Sequence, residues 1–336
     1  MYIAKRIAQA IITFLAVVSL SFVMIKSMPG GPVAFIRARV MQSQGANDMS
    51  MQQLYQLAES YTNLRVDEPL YIQYVHYVLD VMQGDLGQSY IYGAPVTEII
   101  AKAAPWTAFL LTNAIIVTTA AGIILGAVMA YTEGSKFDIG STVVSMFMNS
   151  VPYYVAAIML VYWVGYQWQV LPATGTTATG TTAGFNLPFI VGVIKHSILP
   201  IASLVLTGFG GVALTMRGNA MQEIGEDYIR VAHLRGVPGR RIATRYVGRN
   251  ALLPMYTGLL ISIGFMFGGS VILEEIFAYQ GLGYYLLEAI NARDYSLMMG
   301  CFLLITIAVV ICTLIADLTY SKIDPRIDEP GSKEAY

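Results

Sequence analysis

The chain has 336 residues, 56% of them hydrophobic and only 12% charged, and carries a formal net charge of −1. Soluble domains carry about 25% charged residues, so this composition excludes an ordinary soluble globular protein. The near-neutral total gives no reason to expect a nucleic-acid partner, and Cys301 and Cys312 share one apolar run, where they read as small buried hydrophobes.

A helix needs about 20 apolar residues to cross about 30 Å of hydrocarbon. Six runs qualify, at about 7–28, 107–131, 139–164, 198–217, 255–276 and 297–319. The expected fold class is therefore an all-α membrane protein with six transmembrane helices. Lys5 and Arg6 precede the first run as they would in a secretory signal. That run exceeds an h-region, and Met28-Pro29-Gly30-Gly31 is a poor cleavage site, so a retained span is expected. The long gap 29–106 starts Pro29, Gly30, Gly31, Pro32 and becomes acidic and tyrosine-rich. In the second span Gly122 and Gly126 have the small-x-x-x-small spacing that lets helices approach, as do Gly264 and Gly268 in the fifth. Asn149, Ser150 and Pro152 in the third span either line a polar pathway or mark a kink. Leu171-Pro172-Ala173-Thr174-Gly175 has the form of a cell-wall sorting signal, but further spans and a basic loop follow it. The Thr/Gly-rich stretch 173–184 is read as a loop. Asp317, near the inner end of the last span, is read as solvated or paired rather than as a proton relay.

Lys and Arg set the orientation. With the N-terminus cytoplasmic, 13 of the 20 basic residues fall inside, and the two shorter outside loops hold only Lys195 and Arg293. The positive-inside rule then places both termini in the cytoplasm. His76, His196 and His233 are scattered and lack partners at ligand spacing, so no metal is expected. No serine or cysteine stands in a nucleophile motif.

The inside loop from Arg217 to Pro254 carries most information. Glu223, Glu226 and Asp227 load acid at the start of a short helix, which suits its N-terminus. Tyr228, Ile229, Ala232 and Val237 offer a modest apolar face, and Gly236-Val237-Pro238-Gly239 stops the helix. Arg240, Arg241, Arg245 and Arg249 decorate a second helix before Pro254. Such a loop either docks into a soluble partner or is a plain positive-inside loop. The residues alone leave both open.

The run YIRVAHLRGVPGRRIATRYVGRNALLP resembles the cytoplasmic "EAA" loop of binding-protein-dependent ABC importer permeases, and within them the oligopeptide/dipeptide branch. Asp227, Tyr228, Arg230, Ala232, Gly236 and Arg249 through Pro254 match that branch; Arg230 stands where the generic motif has Glu. Met28-Pro29-Gly30-Gly31-Pro32, Asp67-Glu68-Pro69-Leu70, Gly84-Asp85-Leu86-Gly87, Trp168 with Leu171-Pro172, Gly281-Leu282-Gly283, Arg293-Asp294-Tyr295 and Asp324-Pro325-Arg326 resemble it too, in order, from about residue 5 to 327.

The resemblance implies the type I importer permease fold, with an extracytoplasmic insertion at 29–106 between helices 1 and 2. It implies a core of five further helices over 107–319, a coupling loop at 217–254 and a cytoplasmic tail at 320–336. It implies a second homologous permease subunit, two ABC ATPase subunits and an extracytoplasmic solute-binding protein as partners. Glu226, Asp227, Tyr228, Arg230, Ala232, Gly236, Arg240 and Arg241 would then couple to the ATPase. Glu274 and Glu275, at the outer end of the fifth span, are read either as interface residues solvated by water or as a gate or binding-protein contact. The chain has no G-x-x-x-x-G-K-[ST] loop, so ATP and Mg are expected on partner subunits, with no cofactor here and no catalysis. Peptides lead as cargo, with oligosaccharides or a nickel chelate as alternatives on the same machinery. A secondary transporter would need mid-span carboxylates or interrupted helices in repeated pattern, and an intramembrane enzyme paired catalytic groups within spans; the sequence offers little of either.

Overall fold

The computed structural model describes residues 2–27, 50–62, 68–178, 180–252, 254–256, 258–259 and 271–323. Among these the chain is helical, apart from an isolated bridge between Gln88 and Pro95. In chain order the helices are α1 Tyr2–Lys26, α2 Met51–Thr62, α3 Leu70–Met82, α4 Val96–Tyr131, α5 Lys136–Ser150 and α6 Tyr153–Leu160. They continue as α7 Leu187–Ile224, α8 Asp227–Leu234, α9 Gly239–Arg241, α10 Val271–Ile276, α11 Leu282–Ala292 and α12 Tyr295–Ile323. Wider π-type turns extend α6 over Val161–Gln167 and α9 over Ile242–Val247.

Four described helices are long and apolar enough to cross a membrane: Ile7–Lys26 of α1, α4, α7 and Tyr295–Ile315 of α12. The polar groups of α1 satisfy themselves, since Thr13, Ser19 and Ser21 donate to the carbonyls of Gln9, Leu15 and Val17. Back-bonding of this kind lets a hydroxyl sit in an apolar helix. The expected third span, 139–164, is not one straight helix. It is the pair α5 and α6, bent by 91°. Pro152 has no N–H to donate and pushes Val151 out of the helical region (ψ 122°), so α5 ends there and α6 starts afresh. Of the expected span 255–276, residues 257 and 260–270 lie outside the described residues, as do Gly264, Gly268 and Asp324 through Arg326. Helices α4 and α7 start earlier than their apolar runs. Asn186 caps α7 by accepting from the Phe189 N–H at 2.9 Å, and Pro188 occupies its first turn.

The chain divides into two compact units, one of residues 1–107 and 280–311, the other of 108–279 and 312–336. In the first, Val18, Phe22 and Ile25 of α1 share a core with Tyr77 and Val81 of α3 and Met299 and Leu303 of α12. Asp294, buried, caps α12: its carboxylate accepts from Leu297 N–H at 3.1 Å, Ser89 Oγ at 2.7 Å and Ile91 N–H at 3.0 Å. Arg293 just before it takes the left-handed conformation (φ 59°) that ends α11.

In the second unit α4, α5 and α7 approach through small residues. A Cβ on Gly126 would stand 2.3 Å from the Ala213 carbonyl oxygen, and one on Gly210 2.3 Å from that of Ser145. Only glycine permits these separations. Asp138, buried at the start of α5, accepts a two-pronged bond from Arg217 of α7, at 2.6 Å to Nε and 2.8 Å to Nη2, and a third bond from the Gly134 N–H.

Candidate functional site

Helix α7 ends at Gly225, and the chain turns through Glu226, whose extended backbone (ψ 143°) precedes α8. Asp227 then sits in the first turn, where its charge opposes the exposed N–H groups. At the far end the Val237 N–H bonds to Ala232 O at 3.1 Å and the Gly236 N–H to His233 O at 2.9 Å. This pair of bonds is the Schellman closure, and it needs a left-handed residue after the cap. Gly236 supplies it at φ 71°. Pro238 restarts the chain, and Arg240 and Arg241 follow in the single turn α9.

Helix α8 has two faces. Ile229 and Ala232 are buried among Ala130, Met216, Ala220, Ile242, Val247 and Ala251. The opposite face carries Val231 and Leu234, 49% and 82% exposed, with Asp227, Arg230 and Arg235 around them. The eight-residue helix thus presents an exposed leucine and valine framed by charge. Ala232, expected to couple to the ATPase, belongs to the supporting face.

A polar clamp fixes the tilt of this helix. Tyr228 Oη donates to the Glu223 carboxylate, and Asn250 Nδ2 donates to Tyr228 Oη at 2.8 Å and to Glu223 Oε2 at 3.3 Å. Asn219 Nδ2 adds a bond to the Ala251 carbonyl at 3.1 Å. Partial burial, and then the bond to Glu223, hold the Tyr228 phenol above the usual tyrosine range. Glu223 and Asn250 were not among the expected coupling residues. The Arg249-Asn250 pair was visible as a motif, but its partner lies 27 residues away and could not be seen.

The other expected site residues scatter. Asn149 and Ser150, both exposed, close α5; Ser150 Oγ donates to the Met146 carbonyl, while the Asn149 amide packs against Gly211 of α7. Pro152 heads α6 at the 91° bend. Glu275 is exposed, but Glu274 is fully buried in α10 beside Tyr279. Water does not solvate Glu274, as the interface reading required, because its own chain encloses it. A binding protein could touch Glu275 but not the Glu274 side chain.

Residues 122–329 match the family described as "Binding-protein-dependent transport system inner membrane component". The chain is 30% identical over 342 residues to the dipeptide transport system permease protein DppB of Escherichia coli (strain K12), covering 97% of this chain and 98% of that one. It is 31% identical over 328 residues to the oligopeptide transport system permease protein AppB of Bacillus subtilis (strain 168), covering 97% and 99%. A match across most of the apolar helices and the whole of the loop that holds α8 leaves one conclusion: this chain belongs to the family of inner membrane components of binding-protein-dependent transport systems.

Proposed function

We propose that this chain is one of two permease subunits of an ATP-driven peptide importer. It crosses the membrane six times with both termini cytoplasmic, the count of basic residues being the support for that orientation. Residues 29–106 form an extracytoplasmic insertion, 107–319 the permease core and 320–336 a cytoplasmic tail. A solute-binding protein delivers cargo outside; two ATPase subunits bind ATP and Mg beneath. The chain itself catalyses nothing, and its role is to form half of the passage.

The observation that carries this reading is α8. Its inner face is locked to α4, α7 and the Ile242–Val247 turns, while Val231 and Leu234 face outward with no cover. A rigid helix with an uncovered apolar tip is a lever: a push by a seated partner moves the helices it is locked to. Glu226, Asp227 and Arg230 belong to the same short helix and its start, Arg240 and Arg241 follow in α9, and these residues would meet the ATPase surface; Glu275, which is exposed, would meet a binding protein. Peptide is favoured as cargo because the relatives similar over the full length are named for dipeptide and oligopeptide transport.

The test is reconstitution of the chain with its partner subunits in liposomes, followed by uptake of radiolabelled dipeptide, oligosaccharide or nickel chelate. ATP-dependent dipeptide uptake is expected. Uptake of only the sugar or the chelate would reassign the cargo, and uptake with no ATPase subunit present would overturn the mechanism. In the same system Leu234→Asp should release the ATPase subunits while the chain stays folded, because that side chain is 82% exposed.

A further inference from the structure

Helix α3 has two apolar faces, and its own chain covers only one of them. On the covered face Tyr77 and Val81 are buried, with Tyr74 and Val78 beside them, against α1 and α12. Both of those helices are apolar spans. The contacts fall in the last turns of the apolar run of α1 and the first turns of that of α12. Ser19 of α1, whose hydroxyl shares a 2.7 Å hydrogen bond with Tyr74 Oη, lies seven residues before Lys26, which is about 10 Å along the helix. Phe22 meets the rings of Tyr74 and Tyr77 at centroid distances of 5.4 and 5.7 Å. Helix α3 therefore sits at the depth of a span's end and not above it.

On the open face Tyr71, Val75, Leu79 and Met82 are 72%, 52%, 46% and 67% exposed. Their spacing of four, four and three places them in one stripe. Of the polar residues Gln73 is buried and donates its amide to the Glu68 carbonyl, while His76 and Asp80 form a narrow partly open strip, and the His76 ring meets the Glu68 carboxylate at 2.7 Å. A helix with a broad apolar arc and one polar strip settles in the plane of the interface, its apolar side about 5–10 Å into the headgroup and acyl boundary. That depth agrees with the position of Ser19. Leu20, Val23 and Met24 of α1, at the same level, are also open to the surroundings, and such a surface on a span meets lipid.

We infer that α3 is an interfacial helix embedded in the membrane leaflet beside α1 and α12, with lipid acyl chains covering its Tyr71-Val75-Leu79-Met82 stripe. The segment between the first two spans is thus not wholly a water-exposed insertion. It carries a membrane anchor of its own.

Nitroxide labels at Val75→Cys, Leu79→Cys and Asp80→Cys test this, in the full chain assembled with its partner subunits in nanodiscs, which leave both membrane faces open to reagent. Cys312→Ala removes the partly accessible native thiol, and Cys301 is fully buried. The labels at 75 and 79 should collide more with oxygen than with a soluble nickel chelate, and the order should reverse at 80. A nickel preference at 75 and 79 would place the stripe in water. Weak collision with both reagents there would mean that a protein subunit covers it. Either result overturns the proposal.

Discussion

At the scale of single residues, the Asp138–Arg217 bond is asymmetric. Asp138 is 2% exposed, whereas the Arg217 side chain keeps 25% of its surface open. Losing the arginine strands an enclosed carboxylate; losing the carboxylate charge leaves an arginine that water can still reach. Arg217→Ala should therefore lower the melting temperature of the purified protein more than Asp138→Asn. Arg217→Lys should fall between wild type and Arg217→Ala, because lysine keeps the charge but not the planar fork. Gly236 separates two effects that the sequence merges. A Cβ there has nothing within 4 Å, yet φ is 71°, so any side chain costs about 1–2 kcal/mol of backbone strain. Gly236→Ala and Gly236→Trp share that strain, and only tryptophan can also collide with a docked partner. The ratio of ATP hydrolysis to uptake should rise further in Gly236→Trp; equal ratios would remove the partner from that surface. Tyr228 carries a pH expectation. Its folded pKa is raised, so its contribution is fully present below the ordinary tyrosine value and is lost as pH rises through the higher folded one. Between pH 6 and about 9, wild type and Tyr228→Phe should differ in uptake by a constant factor; a gap that changes across that window would contradict the assignment.

At the scale of elements, helix contact in the second unit depends on missing side chains. Gly210→Ala drives a methyl into the Ser145 carbonyl at 2.3 Å, and overpacking of this kind costs about 1–3 kcal/mol. Gly218, in the same helix, has open space around it, and there alanine should stabilise by about 0.5–1 kcal/mol through helix preference alone. Thermal melts of the two variants should move in opposite directions. The glycine spacing at 122 and 126 announced such an approach in α4, but nothing in the sequence named Gly210 as a contact. Element ends were harder to read than element centres. Hydropathy marks the length that lipid can cover, whereas caps set where a helix starts, so α4 and α7 begin at Val96 and Leu187 and not at 107 and 198. Pro152 was readable as a kink or a pathway residue. The 91° break makes it a helix start, and Asn149 and Ser150 at the end of α5 owe their position to it.

At the scale of the whole molecule, a lever without an engine should do nothing by itself. The purified chain should hydrolyse no ATP, and hydrolysis should appear only with its ATPase partners, as a phosphate-release assay would read. Composition and run length by themselves determined that the chain lives in a membrane, because crossing hydrocarbon is a matter of apolar length. The orientation proposed from the basic residues rests on the same kind of local chemistry. The stop at Gly236-Val237-Pro238-Gly239 was equally local, since turn and cap preferences act within a few residues. Tertiary structure decided what depends on partners far along the chain. It enclosed Glu274, turned Ala232 inward, joined Glu223 to Tyr228 and Asn250, and paired Asp138 with an arginine 79 residues away. It also laid α3 against the ends of two spans. Burial and pairing are properties of neighbours in space, and a linear pattern records which groups need partners but not which ones they find.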